Sequence, residues 1–142
     1  MKRYGLILMA CLLFTAVSSA LYAQDYPRQD GDKSRYSAYI ELPRGAYLSG
    51  ICYLVRQGDE LRGSLFNEFG FSALDFSYSL RKDKVRLLSV IEMMDKWYIR
   101  RTLRRDLRKL LKVLEAGGTQ YINQRRGITY TLTPLTNNHI GQ

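Results

Sequence analysis

Histidine and cysteine are scarce in this sequence of 142 residues, which contains one histidine and two cysteines. A single histidine excludes metal sites built from several histidines, and two cysteines exclude a small domain held together by many disulfides. The sequence also lacks a Gly-rich phosphate loop, a metal-ligand spacing and a paired acid and base, and His139 lies in a polar tail. These absences predict a protein that is not an enzyme and that needs no cofactor and no metal.

A run of about 20 apolar residues, which a membrane-spanning helix requires, is also missing. The longest apolar stretch, residues 6–17, follows Lys2 and Arg3 and is followed by small residues. This order is typical of a secretory signal peptide. We expect cleavage after Ala23, or after Ala20 as the alternative, and a mature chain that is exported to the periplasm or lies peripherally at the outer membrane.

The two cysteines lead to separate expectations. Residues 8–11, Leu-Met-Ala-Cys, imitate the box at which bacterial lipoproteins are cut and acylated. The apolar run continues beyond Cys11, where a lipoprotein turns polar, so lipid modification of Cys11 is the less favoured alternative. Cys52 lies in an apolar, strand-like run with no histidine nearby, which predicts a buried, inert thiol rather than a nucleophile.

Acidic residues are outnumbered, because the chain has 22 Lys and Arg against 13 Asp and Glu, a net charge of +9. After loss of residues 1–23, 20 basic and 13 acidic residues remain, a net charge of +7. This balance favours an acidic partner. Hydrophobic residues at 46% and charged residues at 25% exclude a disordered tail.

The mature length suits one domain. Residues 24–34 are polar and predict a flexible leader, residues 35–135 predict a single α+β domain, and residues 136–142 predict a polar tail. Short connections between strand-like segments predict an antiparallel meander. The predicted strands are 36–42, 46–56, 61–67, 71–80, 85–93, 120–124 and 128–133.

The apolar period changes from that of a strand to that of a helix at Asp95. We expect Asp95 to cap one amphipathic helix, or two short ones divided near Thr102, and Gly117-Gly118 to end it. The fold class is therefore α+β: a curved antiparallel sheet, a half-barrel of about six or seven strands, covered by one amphipathic helix. Its predicted inward stripe is Ile99, Leu103, Leu107, Leu110 and Leu114.

The other face of this helix is basic and is offset by few acids, Asp106 among them. Its like charges at i,i+4 oppose the helix by about 0.2–0.5 kcal/mol a pair, a cost that mixed signs avoid. A solvated face and a surface for an anionic membrane or an acidic envelope protein both fit the pattern, whereas nucleic acid does not suit an exported chain. The predicted anion-binding residues are Arg100, Arg101, Arg104, Arg105, Arg108, Lys109 and Lys112.

Phenylalanine is concentrated in residues 66–76, where it is interleaved with glycine and serine. Large side chains next to glycines on one face of a sheet can leave a hollow between them, and apolar hollows are common binding sites. An ordinary packed core and a cavity for an acyl chain both fit this pattern. The predicted lining of the hollow is Leu48, Leu54, Phe66, Phe69, Phe71, Phe76 and Trp97.

With these features, the chain resembles the lipoprotein-localisation carriers and receptors of the Gram-negative envelope. The resemblance covers about residues 36–133 and lies in the strand-turn-strand rhythm around glycine at residues 48–50, 63–65 and 69–74. It implies a half-open barrel, covered by helices, that binds acyl chains of lipids or lipoproteins. The chain is also similar in style to small exported proteins of Bacteroidetes-type bacteria, which implies an envelope location.

Two functions are therefore predicted. The first is a non-catalytic periplasmic or envelope protein that binds lipid or lipoprotein acyl chains in an apolar hollow. The alternative is a basic adaptor, or an accessory subunit of an envelope assembly, that docks an acidic protein partner.

Overall fold

The computed structural model describes residues 26–135 of the chain. The predicted signal peptide (1–23), Cys11 and the polar tail (136–142) lie outside the described residues. Within the described part, seven antiparallel strands form one curled half-barrel sheet, and one long helix covers it. The predicted α+β fold is confirmed.

The strand order across the sheet is β5-β4-β3-β2-β1-β7-β6. The first five strands form a meander, and the β6–β7 hairpin joins it through pairing of β7 with β1. The helix α1 contacts both edge strands, β5 and β6. The elements are β1 Lys33–Glu41, β2 Tyr47–Gln57, β3 Glu60–Asn67, β4 Ser72–Ser79, β5 Lys84–Val90, α1 Trp97–Glu115, β6 Gln120–Asn123 and β7 Ile128–Pro134.

The core lies between the concave face of the sheet and α1. Alternation along β1 buries Tyr36 and Ala38 on this face, and Cys52 and Leu54 of β2 share it. The opposite, convex face carries half-exposed side chains such as Tyr53. One apolar face covered by a helix and one solvated face is the arrangement that the period of two predicts.

Helix α1 buries Leu103, Leu107, Leu110 and Leu114, as its sequence period predicts, and Leu111 with them. Ile99, the first residue of the predicted stripe, is only half-buried and, like the rest of the first turn of α1, does not belong to the core cluster.

The ends of α1 differ in how well the sequence predicts them. Lys96 stands at the N-cap with no capping side chain, and Asp95 instead pairs with Arg100 at 2.7 Å between Oδ1 and Nη1. The predicted C-terminal end is confirmed. Gly117 adopts a φ of 90°, and the amide of Gly118 donates to the Val113 carbonyl at 2.8 Å.

The predicted flexible leader packs against the domain from Tyr26 onward. Tyr26 is 4% exposed and belongs to the core cluster, and the amide of Gly31 donates to the Arg56 carbonyl at 2.8 Å. The amide of Arg56 in turn donates to the Asp32 carbonyl at 2.9 Å. One aromatic anchor and these backbone hydrogen bonds fix a segment whose composition is otherwise polar.

Candidate anion-binding groove

The space between α1 and the sheet is nearly filled. The cavity there measures about 30 Å³, and its lining is apolar. Ligand sites for molecules of drug or lipid size are of the order of 300–1,000 Å³. Among residues 26–135, the cavity between α1 and the concave face is therefore too small for an acyl chain.

A cross-strand pair explains why the hollow is filled. Gly63 of β3 pairs directly with Phe76 of β4, and a Cβ atom on Gly63 would overlap the Phe76 ring. The Phe76 ring therefore fills the space over Gly63 that a side chain at that position would otherwise occupy. Leu54 and Phe76 are buried in the core, and the half-buried Leu48 packs against it.

The other four residues of the predicted lining lie elsewhere. Phe69 and Phe71 belong to the β3–β4 turn and are 82% and 69% exposed, and Trp97 at the start of α1 is 74% exposed. Phe66 is half-buried beside Tyr53, with ring centroids 5.7 Å apart. The seven predicted residues do not form one hollow, because a turn and a helix end place three of them in solvent.

A groove lies instead on the basic side of the molecule. It measures about 480 Å³ and is bounded by the first half of α1 and the β6–β7 hairpin. Arg101, Arg105 and Lys109 line it at successive i,i+4 positions of the helix, and Arg125 and Arg126 line it from the hairpin turn. The aromatic part of its lining consists of Trp97, Tyr98 and Tyr121.

The groove contains one acidic residue, Asp106, whose side chain points into the protein. Asp106 is 2% exposed and accepts hydrogen bonds from Asn123 Nδ2 at 2.9 and 3.1 Å and from the Tyr130 hydroxyl at 2.5 Å. Buried carboxylates are costly unless such donors satisfy them. Asp106 therefore joins α1 to β6 and β7 and fixes the groove, rather than offsetting its charge at the surface as the sequence suggests.

The hairpin turn that carries two of the arginines is held by its own hydrogen bonds. Asn123 Oδ1 accepts from the amide of Arg126 at 3.1 Å, and the amide of Gly127 donates to the Asn123 carbonyl at 2.9 Å. Gly127 has a φ of 68°, which favours glycine. Asn123 thus positions both the buried carboxylate and the turn.

The predicted anion-binding residues divide between two surroundings. Asp83 accepts from Lys112 Nζ at 3.0 Å and lies 3.8 Å from Arg108 Nη1, so both cations are partnered outside the groove. Hydrogen bonds from Tyr78 and Lys112 lower the pKa of Asp83, which keeps this carboxylate charged. Arg104 is exposed and also lies outside the groove.

The groove cations are, by contrast, little neutralised. Lys109 Nζ lies 5.9 Å from the centre of the Tyr121 ring, a cation–π contact. Within residues 26–135, none of the ion pairs involves Arg101, Arg105, Arg125 or Arg126. The structure therefore brings together part of the predicted basic face with Arg125 and Arg126 of the β6–β7 turn, which are not among the predicted anion-binding residues.

Other kinds of site find little support in the described part of the chain. It contains no cluster of His, Cys, Asp or Glu that could hold a metal ion. Cys52 is buried, as predicted, and burial raises the pKa of its thiol to about 12. None of the described helices is long and apolar enough to cross a membrane.

Comparison of the chain with protein-family models, with curated proteins and with solved structures finds no match. The resemblance to lipoprotein-localisation proteins stays a prediction.

Proposed function

We propose that this protein is a non-catalytic envelope protein that binds lipid through the anionic head group, in the groove between α1 and the β6–β7 hairpin. The observation that carries the proposal is the charge of the groove. Five cations surround about 480 Å³, and the one carboxylate among the lining residues is already satisfied by its own donors.

The chemistry of the lining suits a phosphate. Arginine presents several donors in a planar fork that matches phosphate oxygens, and four of the five groove cations are arginines. The aromatic rings beside them offer an apolar contact with a polar tip, which suits the glycerol part of a head group. The proposed ligand is a lipid, as the sequence predicts, but the protein contacts its phosphate and not its acyl chain.

A soluble short-chain lipid tests the proposal without a membrane. We expect the domain to bind dihexanoyl phosphatidylglycerol, below its micelle concentration, more tightly than dihexanoyl phosphatidylcholine in calorimetric titrations. The double variant Arg101→Gln/Arg105→Gln should lower the affinity at least tenfold. The matched control, Arg104→Gln/Arg108→Gln, removes the same charge at the same spacing outside the groove and should bind like the parent.

Two results contradict the proposal. Equal losses in both double variants would show that binding follows overall charge and not the groove. Binding of an acidic peptide, such as an oligo-aspartate, in strong preference to the phospholipid would favour the adaptor function.

A further inference from the structure

Four large apolar side chains are exposed around one end of the half-barrel. Phe69, Phe71, Met93 and Trp97 are 82%, 69%, 82% and 74% exposed. They come from two separate stretches of chain: the β3–β4 turn, and the segment that runs from the end of β5 to the first residue of α1. A single exposed apolar residue is ordinary, but several together mark an interaction surface. We call these four residues the apolar rim.

Strand pairing places these stretches beside one another. Val90 at the end of β5 pairs with Leu74 near the start of β4, and the amide of Ile91 donates to the Ala73 carbonyl at 3.1 Å. The chain therefore leaves β5 next to the β3–β4 turn and enters α1 at the same end of the sheet. Asn67 closes that turn, because its amide donates to the Phe71 carbonyl at 2.9 Å and its side chain accepts from the turn amides.

The two strand turns at the opposite end of the sheet are polar. The β2–β3 turn consists of Gly58 and Asp59, and the β4–β5 turn includes Arg81, Lys82 and Asp83. Neither turn carries an exposed large apolar side chain. The difference between the two ends shows that the apolar rim is not a general property of the loops of this protein.

Cations adjoin the apolar rim. Trp97 itself lines the groove together with Arg101, Arg125 and Arg126, and Arg44 lies on the β1–β2 loop at this end. Of the nearby acids, Asp95 pairs with Arg100, Glu68 hydrogen-bonds with Ser49, and Glu92 lies in the segment before α1. Apolar and aromatic tips beside arginines are the combination that binds the interface of an anionic bilayer.

We propose that the apolar rim inserts into the surface of an anionic lipid bilayer, with the groove arginines at the depth of the lipid phosphates. The inference rests on the proposed function for the ligand in the groove, and adds the surface and the orientation with which the protein meets the membrane. A second copy of the chain is a poorer occupant, because pairing two such ends would bring the arginines of both into proximity without counter-charges.

Trp97 is the only tryptophan of the sequence, so intrinsic fluorescence reports on the apolar rim without a label. The protein to use begins at Gln24, which keeps every described element and the whole core cluster. Vesicles of equal parts phosphatidylglycerol and phosphatidylcholine should shift its emission to shorter wavelength. Phospholipids brominated near the head group should quench it, and pure phosphatidylcholine vesicles should change it little.

A pair of variants separates the apolar rim from general surface hydrophobicity. Phe69→Ser/Met93→Ser should lower vesicle affinity at least tenfold while leaving thermal unfolding and short-chain phosphatidylglycerol binding unchanged. The control Leu88→Ser/Leu135→Ser removes two exposed apolar side chains outside the rim and should bind vesicles like the parent.

The outcomes keep the two proposals apart. If the domain does not bind the short-chain lipid but Trp97 still enters anionic vesicles, the proposed groove ligand is wrong. The same result supports the apolar rim as the surface that contacts the membrane. If vesicles bind with no change in Trp97 emission, or if the rim variant binds them like the parent, the rim inference is overturned. It is also overturned if the rim substitutions abolish self-association, measured by sedimentation, instead of vesicle binding.

Discussion

The hydroxyl of Tyr130 donates a hydrogen bond of 2.5 Å to Oδ2 of Asp106 and thereby ties β7 to the middle of α1. Burial first, and this hydrogen bond second, raise the pKa of Tyr130 above its ordinary value. The same side chain accepts from Asn123, so three elements meet at one buried carboxyl group. The groove walls are held together at this point.

Removing the hydroxyl should therefore destabilise the domain. Tyr130→Phe leaves the ring in the core but takes one donor from a buried carboxylate, which costs about 1–3 kcal/mol. Urea unfolding should show this loss in the free energy of unfolding. If Tyr130→Phe costs as much in an Asp106→Ala background as in the parent, the two side chains are not coupled and the assignment is wrong.

Gly63 gives a test of the filled concave face. Gly63→Ala places a Cβ atom against the Phe76 ring, and overpacking of this kind costs about 1–3 kcal/mol. Adding Phe76→Leu should recover part of that loss, because the smaller side chain vacates the space. A Gly63→Ala variant as stable as the parent would indicate free space above Gly63 and would bring back the acyl-binding hollow.

Most of the fold follows from the sequence, since alternation and helical period decide which face of each element is buried. The predicted strands agree with the observed ones to within a few residues, and Gly117 ends α1 as expected. The sequence leaves a packed core and a hollow as alternatives, because the pairing of Gly63 with Phe76 depends on the register between two strands.

The groove depends even more on tertiary structure. Arg101 and Arg125 belong to different elements, and only the docking of the β6–β7 hairpin beside α1 brings them to one surface. One local signal was present for Asp106: it is a carboxylate among the buried leucines Leu103, Leu107 and Leu110 on the apolar side of the helix. A charged residue at such a position predicts a buried partner.

Tyr26 offers a substitution that should not destabilise. Its hydroxyl is buried and, among the described residues, has no hydrogen-bond partner. Tyr26→Phe removes the cost of desolvating this group and keeps the ring in the core, so the free energy of unfolding should stay equal or rise by up to about 1 kcal/mol. A loss of more than that in thermal or urea unfolding would mean that the hydroxyl does have a partner.

Alkaline pH should weaken the domain through its buried tyrosines. Burial, and then the nearby Glu115, raise the pKa of Tyr26 from 10.0 to about 12. Because the pKa is higher in the folded than in the unfolded state, the neutral phenol contributes stability that is complete below pH 10 and is lost as the pH rises toward 12. Tyr78 and Tyr130 have raised pKa values too and act in the same direction.

The measurement is the free energy of unfolding between pH 9 and 12. The free energy of unfolding should decrease across this range. It should decrease less steeply for Tyr26→Phe, because this variant lacks one of the titrating groups. Parallel curves for the parent and the variant would contradict the assignment to Tyr26.

Salt dependence distinguishes groove charges from the rest of the basic helix face. Exposed charges are screened beyond about 8 Å at physiological ionic strength, so binding of anionic vesicles should weaken as salt rises. Each cation close to an anionic surface contributes about 1 kcal/mol. Arg101→Gln/Arg105→Gln should therefore reduce the affinity by about 2 kcal/mol and flatten the plot of log affinity against log salt.

The control Arg104→Gln/Arg108→Gln should leave the slope near that of the parent, because Arg108 lies beside Asp83 and Arg104 lies outside the groove. Identical slopes for the two double variants would mean that the helix attracts anions as an undivided charged face, and that the groove has no special part in binding.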